Sequence, residues 1–327
     1  MAMPTDNSLF EQVRNVVTEP EWLLAKPIIE EIQALKREKN AVVLAHNYQH
    51  PLIYHGVADL RGDSLGLARE AADADADVIV MCGVHFMAET AKLLNPDRTV
   101  LLPDYDAGCS LADAITADDV QALKKRHPGV PVVTYVNTSA AVKAASDVCC
   151  TSSNAVTIVE ALNSEKVLFV PDRHLAKYVE RNSEVEILTW EGGCVVHEEF
   201  QSADIDALRA DYPGIDVIAH PECTKEVQDS ADAVGSTSQL IDWVEEHRPE
   251  QVAMITECTM SDNVAAHFPK IAFKQPCSIC PYMRRITLEK IRDCLETMDD
   301  PVEIDPRIVP GARRAVRRML EYSRVDS

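Results

Sequence analysis

Apolar and polar positions in this chain follow two rhythms that take turns along its length. A first helix is marked by Pro27 at its start and by Ile28, Ile29, Ile32 and Leu35 on one face. Short apolar runs then alternate with stretches of helical period. The run that opens each cycle reads as a buried strand ending in polar residues. In 41–48 the polar end is His46, Asn47 and Tyr48; in 132–137 it holds Tyr135 and Asn137; in 216–222 it holds His220 and Glu222. Each is followed by small hydroxyl residues that read as helix N-caps: Gly62-Asp63-Ser64, Thr151-Ser152-Ser153-Asn154 and Gly235-Ser236-Thr237-Ser238. A second strand (78–81, 167–170, 252–255), a helix and a third strand (100–102, 185–188, 271–273) complete each cycle. A cysteine lies just beyond every third strand, at Cys109, Cys194 and Cys280.

The cycle has a measurable period. Cys109 and Cys194 are 85 residues apart and Cys194 and Cys280 are 86 apart, while Ser64, Ser152 and Thr237 are separated by 88 and 85. That is too long for a solenoid repeat and suits a small three-layer unit. Strands alternating with helices predict parallel sheets. The expected fold is therefore α/β: three homologous three-layer αβα domains with parallel sheets, in a pseudo-threefold arrangement around a central active site. The expected divisions are an N-terminal helical segment 1–40, repeats at 41–128, 129–213 and 214–300, and a helical tail 301–327 packing on the body. Ligands of parallel sheets gather at the carboxyl ends of strands, so the polar tips, the hydroxyl clusters and the cysteines are expected to share one cavity.

Composition narrows the function. Of 327 residues 46% are hydrophobic, enough for a core throughout, and the formal charge of −21 disfavours nucleic acid or an anionic membrane as partner. Arginine outnumbers lysine beneath a large acidic excess, which reads as a solvated surface. No run approaches the roughly 20 apolar residues that span a bilayer, and residues 1–17 show no secretory pattern, so a cytoplasmic location is expected. Ten cysteines in such a chain favour metal binding or catalysis over a disulfide framework.

Three thiolates from three loops can hold three corners of a 4Fe-4S cluster and leave one iron open, a Lewis acid for loss of water. Equal spacing assigns that role to Cys109, Cys194 and Cys280. Cys82, Cys258, Cys294, Cys149, Cys150 and Cys223 read as buried packing residues. In Cys277-Ser278-Ile279-Cys280-Pro281 the C-P ending favours Cys280 as the ligand. Cys277 is either its redox partner or a bystander.

These residues also carry a resemblance. Ala45-His46-Asn47-Tyr48-Gln49, Gly62-Asp63-Ser64-Leu65, Ala107-Gly108-Cys109-Ser110, Tyr135-Val136-Asn137, Cys150-Thr151-Ser152-Ser153-Asn154, Gly193-Cys194-Val195-Val196-His197, His220-Pro221-Glu222-Cys223, Gly235-Ser236-Thr237 and Cys280-Pro281-Tyr282-Met283 together resemble the quinolinate synthase family of de novo NAD biosynthesis. The resemblance runs from about Ala41 to Met283. It implies condensation of iminoaspartate with dihydroxyacetone phosphate to quinolinate, with release of phosphate and water, and a transient contact with the enzyme that supplies iminoaspartate. By the same resemblance Ser64 would hold the triose phosphate, and Tyr135, Asn137, Ser152 and Thr237 would bind carboxylates or phosphate. His46, Tyr48, His220 and Glu222 would bind substrate and move protons, with Glu222 as general base and Tyr48 as relay or acid. Plain N-capping is the other role open to Ser64, Ser152 and Thr237. His197 reads either as a donor to the metal centre or as a surface residue. Asn47 departs from the pattern, since an aromatic residue is common there. The paired arginines Arg313, Arg314, Arg317 and Arg318 read as one face of a last helix that meets the acidic body.

Rival readings remain. A radical transferase of the kind that starts diphthamide synthesis would use a similar three-cysteine plan, but the hydroxyl cradles suit small phosphorylated substrates better. A redox sensor or a structural zinc protein would need only the cysteines.

Overall fold

Each third of the chain is built from the same elements in the same order. The computed structural model describes residues 6–73, 75–274 and 276–323. Helices α1 (Asp6–Val13) and α2 (Glu19–Lys39) lead into β1 (Ala41–His46), α3 (Pro51–Tyr54), β2 (Leu60–Gly62), α4 (Ser64–Asp73), β3 (Val78–Cys82), α5 (His85–Leu94) and β4 (Thr99–Leu101). After α6 (Ser110–Asp113), helix α7 (Ala117–Arg126) leads into β5 (Val132–Tyr135), α8 (Ala140–Ala145), β6 (Val148–Cys150), α9 (Ala155–Ala161), β7 (Lys166–Val170), α10 (Arg173–Arg181) and β8 (Glu186–Thr189). Helix α11 (Ser202–Asp211) leads into β9 (Asp216–Ala219), α12 (Lys225–Ser230), β10 (Ala233–Val234), α13 (Thr237–His247), β11 (Gln251–Ile255), α14 (Cys258–His267) and β12 (Ala272–Phe273). Helices α15 (Leu288–Thr297) and α16 (Val309–Tyr322) close the chain.

The result is three four-stranded sheets, parallel throughout, with one strand order: β2-β1-β3-β4, β6-β5-β7-β8 and β10-β9-β11-β12. Four strands stand where three were expected. The additional members β2, β6 and β10 are edge strands of two or three residues, too short to show an apolar run. Both faces of the sheets are covered. In the third, Val217, Ala219, Ala253 and Ile255 pack into one apolar cluster and Ile218, Val252 and Met254 into another, which is the period of two that separates the faces of a strand. The second sheet divides the same way, with Val133, Val167 and Phe169 on one side and Val132, Leu168 and Val170 on the other.

A repeated ionic clamp fixes each sheet. The carboxylates of Asp59, Asp147 and Asp232 accept the backbone N–H of Val43, Val132 and Val217, each at 2.8 Å. The aspartate amides return a bond to the carbonyls of the same valines at 2.9, 3.0 and 2.7 Å. On its other oxygen each carboxylate meets a cation from the preceding helix: Lys36 at 2.8 Å, Lys124 at 3.1 Å and Arg209 at 2.9 Å. The cation and the aspartate are 23 residues apart in all three cases.

Two expectations about helices are corrected. Pro27 does not start α2 but lies inside it; Thr18 caps the helix with Glu21, and Trp22 and Ala25 extend its buried face. The proline is tolerated because it sits on the exposed side, near Leu23, whose freed carbonyl can turn to water. The tail arginines do not all meet acidic side chains: Arg313 donates to the Leu93 carbonyl and Arg318 to the Asp147 carbonyl. Helix α16 buries Ala312, Ala315, Val316 and Met319 and packs on α8 and β6. A Cβ at Gly311 would lie 2.9 Å from the Ala144 carbonyl oxygen, so that approach requires glycine. Helix α15 packs on α2. Among the described residues no helix is long and apolar enough to cross a membrane.

The clamp gives a stability prediction. Asp147→Ala strands the buried Val132 amide and is expected to cost about 1–2 kcal/mol, whereas Lys124→Ala, which only breaks a half-exposed pair, is expected to cost under about 1 kcal/mol. Chemical denaturation of the two variants checks this ranking. Equal losses would show that the carboxylate acts through the lysine and not through the strand.

Candidate active site

Counting from the clamp, equivalent residues of all three units arrive at one place. Three residues beyond Val43, Val132 and Val217 stand His46, Tyr135 and His220, and two residues further stand Tyr48, Asn137 and Glu222. Five residues beyond the clamp aspartates stand Ser64, Ser152 and Thr237. These nine side chains, with Cys109, Cys194 and Cys280, line a single cavity of about 710 Å³ including its mouth. The structure therefore brings together every residue that the sequence singled out for a site.

Capping does not occupy the helix-start hydroxyls. Asp63 caps α4, its Oδ1 accepting the Gly66 amide at 2.7 Å, and Ser236 caps α13 with Gln239 in a capping box. Ser64 and Thr237 are the first helical residues, one place further in. Ser152 lies ahead of α9, beside the Tyr135 phenol on the cavity wall. Asn137 Oδ1 is buried without a hydrogen-bond partner, which leaves an acceptor at the wall for a ligand donor.

Polar groups at the centre form a chain. Tyr135 donates to Glu222 Oε1 at 2.5 Å. His197 Nδ1 stands 3.0 Å from Glu222 Oε2, though off the axis of a good hydrogen bond. His197 Nε2 is 3.0 Å from Thr256 Oγ1, which is 2.7 Å from the Tyr48 hydroxyl. His197, for which a surface position was one reading, is 1% exposed, and its ring stacks on His220 at 4.6 Å. Thr256 was not anticipated. It follows β11 directly and carries no signal beyond that position.

Burial works against charge on Glu222, but the neighbouring histidines and the Tyr135 hydrogen bond outweigh it and hold the carboxyl below its ordinary range. Burial also pulls His46 down to about 4 and His220 down to about 3, so both rings are neutral. With His220 uncharged, support for the Glu222 carboxylate comes from Tyr135 and His197. Burial, reinforced by the Glu222 charge, pushes the Tyr48 and Tyr135 phenols well up. His46 Nδ1 accepts the Tyr48 amide at 3.2 Å and His220 Nδ1 accepts the Glu222 amide at 3.3 Å. Each neutral ring therefore carries its proton on Nε2.

The cysteines share one local geometry. The carbonyls of Cys109, Cys194 and Cys280 each accept the amide four residues on, at 3.0, 3.0 and 3.1 Å. The backbone amides two and three residues on lie on the side of each sulfur: Leu111 and Ala112, Val196 and His197, Tyr282 and Met283. Loss of solvent pushes the Cys109 thiol up to about 12 and raises the other two, while these amides favour the thiolate. Three such sulfurs on one cavity fit a thiolate-bound metal group, whose charge replaces the protons. Cys194 also stands with His197 and Glu222 in a group whose ligand atoms all lie within 4.8 Å of one another. Cys277 does not pair with Cys280; it is joined to Cys258 at the start of α14, and Cys280 keeps a free thiol. Cys258 is thus more than packing.

Three parallel sheets that direct thiols, hydroxyls and a chain of titratable side chains into one cavity define an α/β protein whose site holds groups able to bind a metal. Residues 30–321 match the family described as Quinolinate synthetase A protein, and the chain belongs to that family. It is 57% identical to the quinolinate synthase of Agrobacterium fabrum over 96% of this chain and 91% of that one. It is 58% identical to that of Xylella fastidiosa strain Temecula1 over 89% and 86%, and 51% identical to that of Caulobacter vibrioides over 96% and 86%.

The neutral histidines predict a pH dependence of stability. His46 and His220 titrate at about 4 and about 3 when folded and near 6.5 when unfolded. Below about pH 6.5 the unfolded chain binds more protons, so stability that is full above that pH declines as pH falls toward 4. Unfolding measured between pH 7 and pH 5 is expected to show the decline, and His220→Asn to make it shallower. An unchanged slope in the variant would remove His220 from the titrating set.

Proposed function

We propose that this chain is a quinolinate synthase: a transferase that condenses iminoaspartate with dihydroxyacetone phosphate to quinolinate, releasing phosphate and water with the help of a 4Fe-4S cluster. The observation that carries the reading is the meeting of Cys109, Cys194 and Cys280 with nine polar side chains on one cavity in a member of this family. The units 41–128, 129–213 and 214–300 are then arranged in pseudo-threefold fashion about that cavity, flanked by 1–40 and 301–327. Support for this comes from the equivalent residues that the three clamps deliver to it.

Cys109, Cys194 and Cys280 hold the cluster. When bound, it supplies an open iron that acts as a Lewis acid toward a substrate hydroxyl or carboxylate. Ser64 and Thr237, at the amino ends of α4 and α13, bind phosphate and carboxylate oxygens with the helix amides. Asn137 Oδ1 takes a substrate N–H or O–H. His46 and His220 donate from Nε2, and Ser152 orients Tyr135 against Glu222. Glu222 is the general base. A proton reaching the Tyr48 oxygen passes through Thr256 Oγ1 to His197 Nε2, and His197 yields its Nδ1 proton to Glu222 Oε2. A proton removed at one wall can so be returned at the other, as enolisation followed by elimination requires.

The group Cys194, His197 and Glu222 favours a second reading, a single metal ion, but that reading leaves Cys109 and Cys280 without a task. Iron and sulfide analysis of anaerobically purified protein separates the two. Cys109→Ala, Cys194→Ala and Cys280→Ala are each expected to lose the brown chromophore, whereas Cys82→Ala and Cys294→Ala keep it. Colour retained in any of the first three removes that cysteine from the ligand set.

Glu222→Gln is expected to keep the cluster and lower quinolinate formation from the two substrates by about 10²–10⁴-fold, the usual worth of a general base. Full activity in that variant would move the base elsewhere.

A further inference from the structure

Asn47 stands between His46 and Tyr48, yet it does not line the cavity; it lies behind the wall, 1% exposed. Its side chain crosses from the first unit to the third. Asn47 Nδ2 donates to Thr237 Oγ1 at 2.9 Å, and the Tyr54 hydroxyl donates to Asn47 Oδ1 at 3.3 Å. Its backbone is held as well. The Asn47 amide donates to the Gly62 carbonyl at 3.1 Å, and Asn263 Nδ2 donates to the carbonyls of Asn47 and Gln49 at 3.0 and 2.7 Å. The amide that reaches Thr237 is therefore fixed from two sides.

A threonine hydroxyl has one proton to give and two lone pairs to receive with. Because Thr237 Oγ1 accepts from Asn47, the hydroxyl proton points away from Asn47, and Thr237 has the cavity on its open side. We propose that Asn47 is a positioning residue that makes Thr237 a hydrogen-bond donor toward the cavity, so that this subsite accepts an anionic oxygen of the substrate and rejects a donor group. The inference rests on the reading of Thr237 as a substrate-binding residue and deepens it: it states which chemical polarity the subsite takes and which residue sets it. The anionic oxygen belongs to a carboxylate or to a phosphate.

Two probes distinguish those sources: quinolinate, a dicarboxylate, and inorganic phosphate. Calorimetric titration of the anaerobic holoenzyme with each is compared across wild type, Asn47→Ala, Thr237→Val and the double variant. Asn47→Ala is expected to weaken one probe about tenfold, the worth of a hydrogen bond to a charged group, and to leave the other within about twofold. Thr237→Val is expected to weaken the same probe, with no further loss in the double variant. Asn47→Asp keeps the shape of the side chain and guards against a misfolded alanine variant. Its carboxylate recaptures the Thr237 proton, so it is expected to weaken that probe more than Asn47→Ala does. Loss of both probes in parallel would mark Asn47 as merely structural and overturn the proposal. Weakening by Thr237→Val but not by Asn47→Ala or Asn47→Asp would overturn it as well, while sparing the substrate contact of Thr237. Unchanged binding of both probes in Thr237→Val would instead sink the contact itself, and the proposal with it.

Discussion

A carboxylate pinned to a strand amide is the fixed point from which every side chain in the cavity is measured. Asp59, Asp147 and Asp232 each exchange two hydrogen bonds with a valine of the first strand in their sheet. A slip of one residue in that pairing would turn the strand tips to the opposite face. The clamp forbids the slip in short strands that have little apolar surface of their own with which to set register. Held this way, His46, Tyr135 and His220 fall at one step from the clamp, Tyr48, Asn137 and Glu222 at the next, and Ser64, Ser152 and Thr237 at one step beyond the clamp aspartates, the first and last of them opening a helix. Cavity chemistry follows from register repeated three times.

That chemistry is costly to house. A buried carboxylate loses several kcal/mol of hydration, which pairing recovers only with good geometry and further hydrogen bonds. Glu222 is 3% exposed, with Tyr135 on one oxygen and His197 on the other. Buried polar groups of this kind help a fold only when nearly all are satisfied, and on this cavity wall two atoms are not: the Asn137 Oδ1 lacks a partner and the His197 Nδ1 is misaligned. An apolar core of the same volume would be at least as stable. The incomplete satisfaction points to groups arranged for something that enters the cavity.

Much of this was legible in the sequence, for a physical reason. Parallel strands bury both faces and read as apolar runs, and their polar tips stand out because nothing else in such a strand is polar. The period was visible through Cys109, Cys194 and Cys280, since cysteine is scarce enough for equal spacing to mean something. The clamp was invisible: Asp59, Asp147 and Asp232 are three among 53 acidic residues, and only contact with an amide sets them apart. The edge strands β2, β6 and β10 were missed because two or three residues carry no rhythm. Pro27 misled because a proline on an exposed face can continue a helix that caps and packing already support. His197 and Thr256 stood in no recurrent position, and Cys277 finds Cys258 through the fold and not through the adjacent C-x-x-C spacing.

Charge poses the last question, because the substrates proposed are anions and the protein is one too. Among the described residues the cavity wall has no lysine or arginine, and it carries the carboxylates of Asp63 and Glu222. His46 and His220 are neutral. Apart from the metal group, an anion must be held by dipoles: hydroxyls, imidazole N–H groups and the amino ends of α4 and α13. A dipole's attraction falls off faster with distance than a point charge's, so these groups grip an oxygen only when it is seated and aimed. A lysine in the same wall would attract substrate and dicarboxylate product alike from a distance, tightening both without favouring the transition state. Neutral donors fixed at helix ends give orientation instead. That is also why the direction of one hydroxyl proton, set from behind by Asn47, matters in this wall more than it would beside a cation.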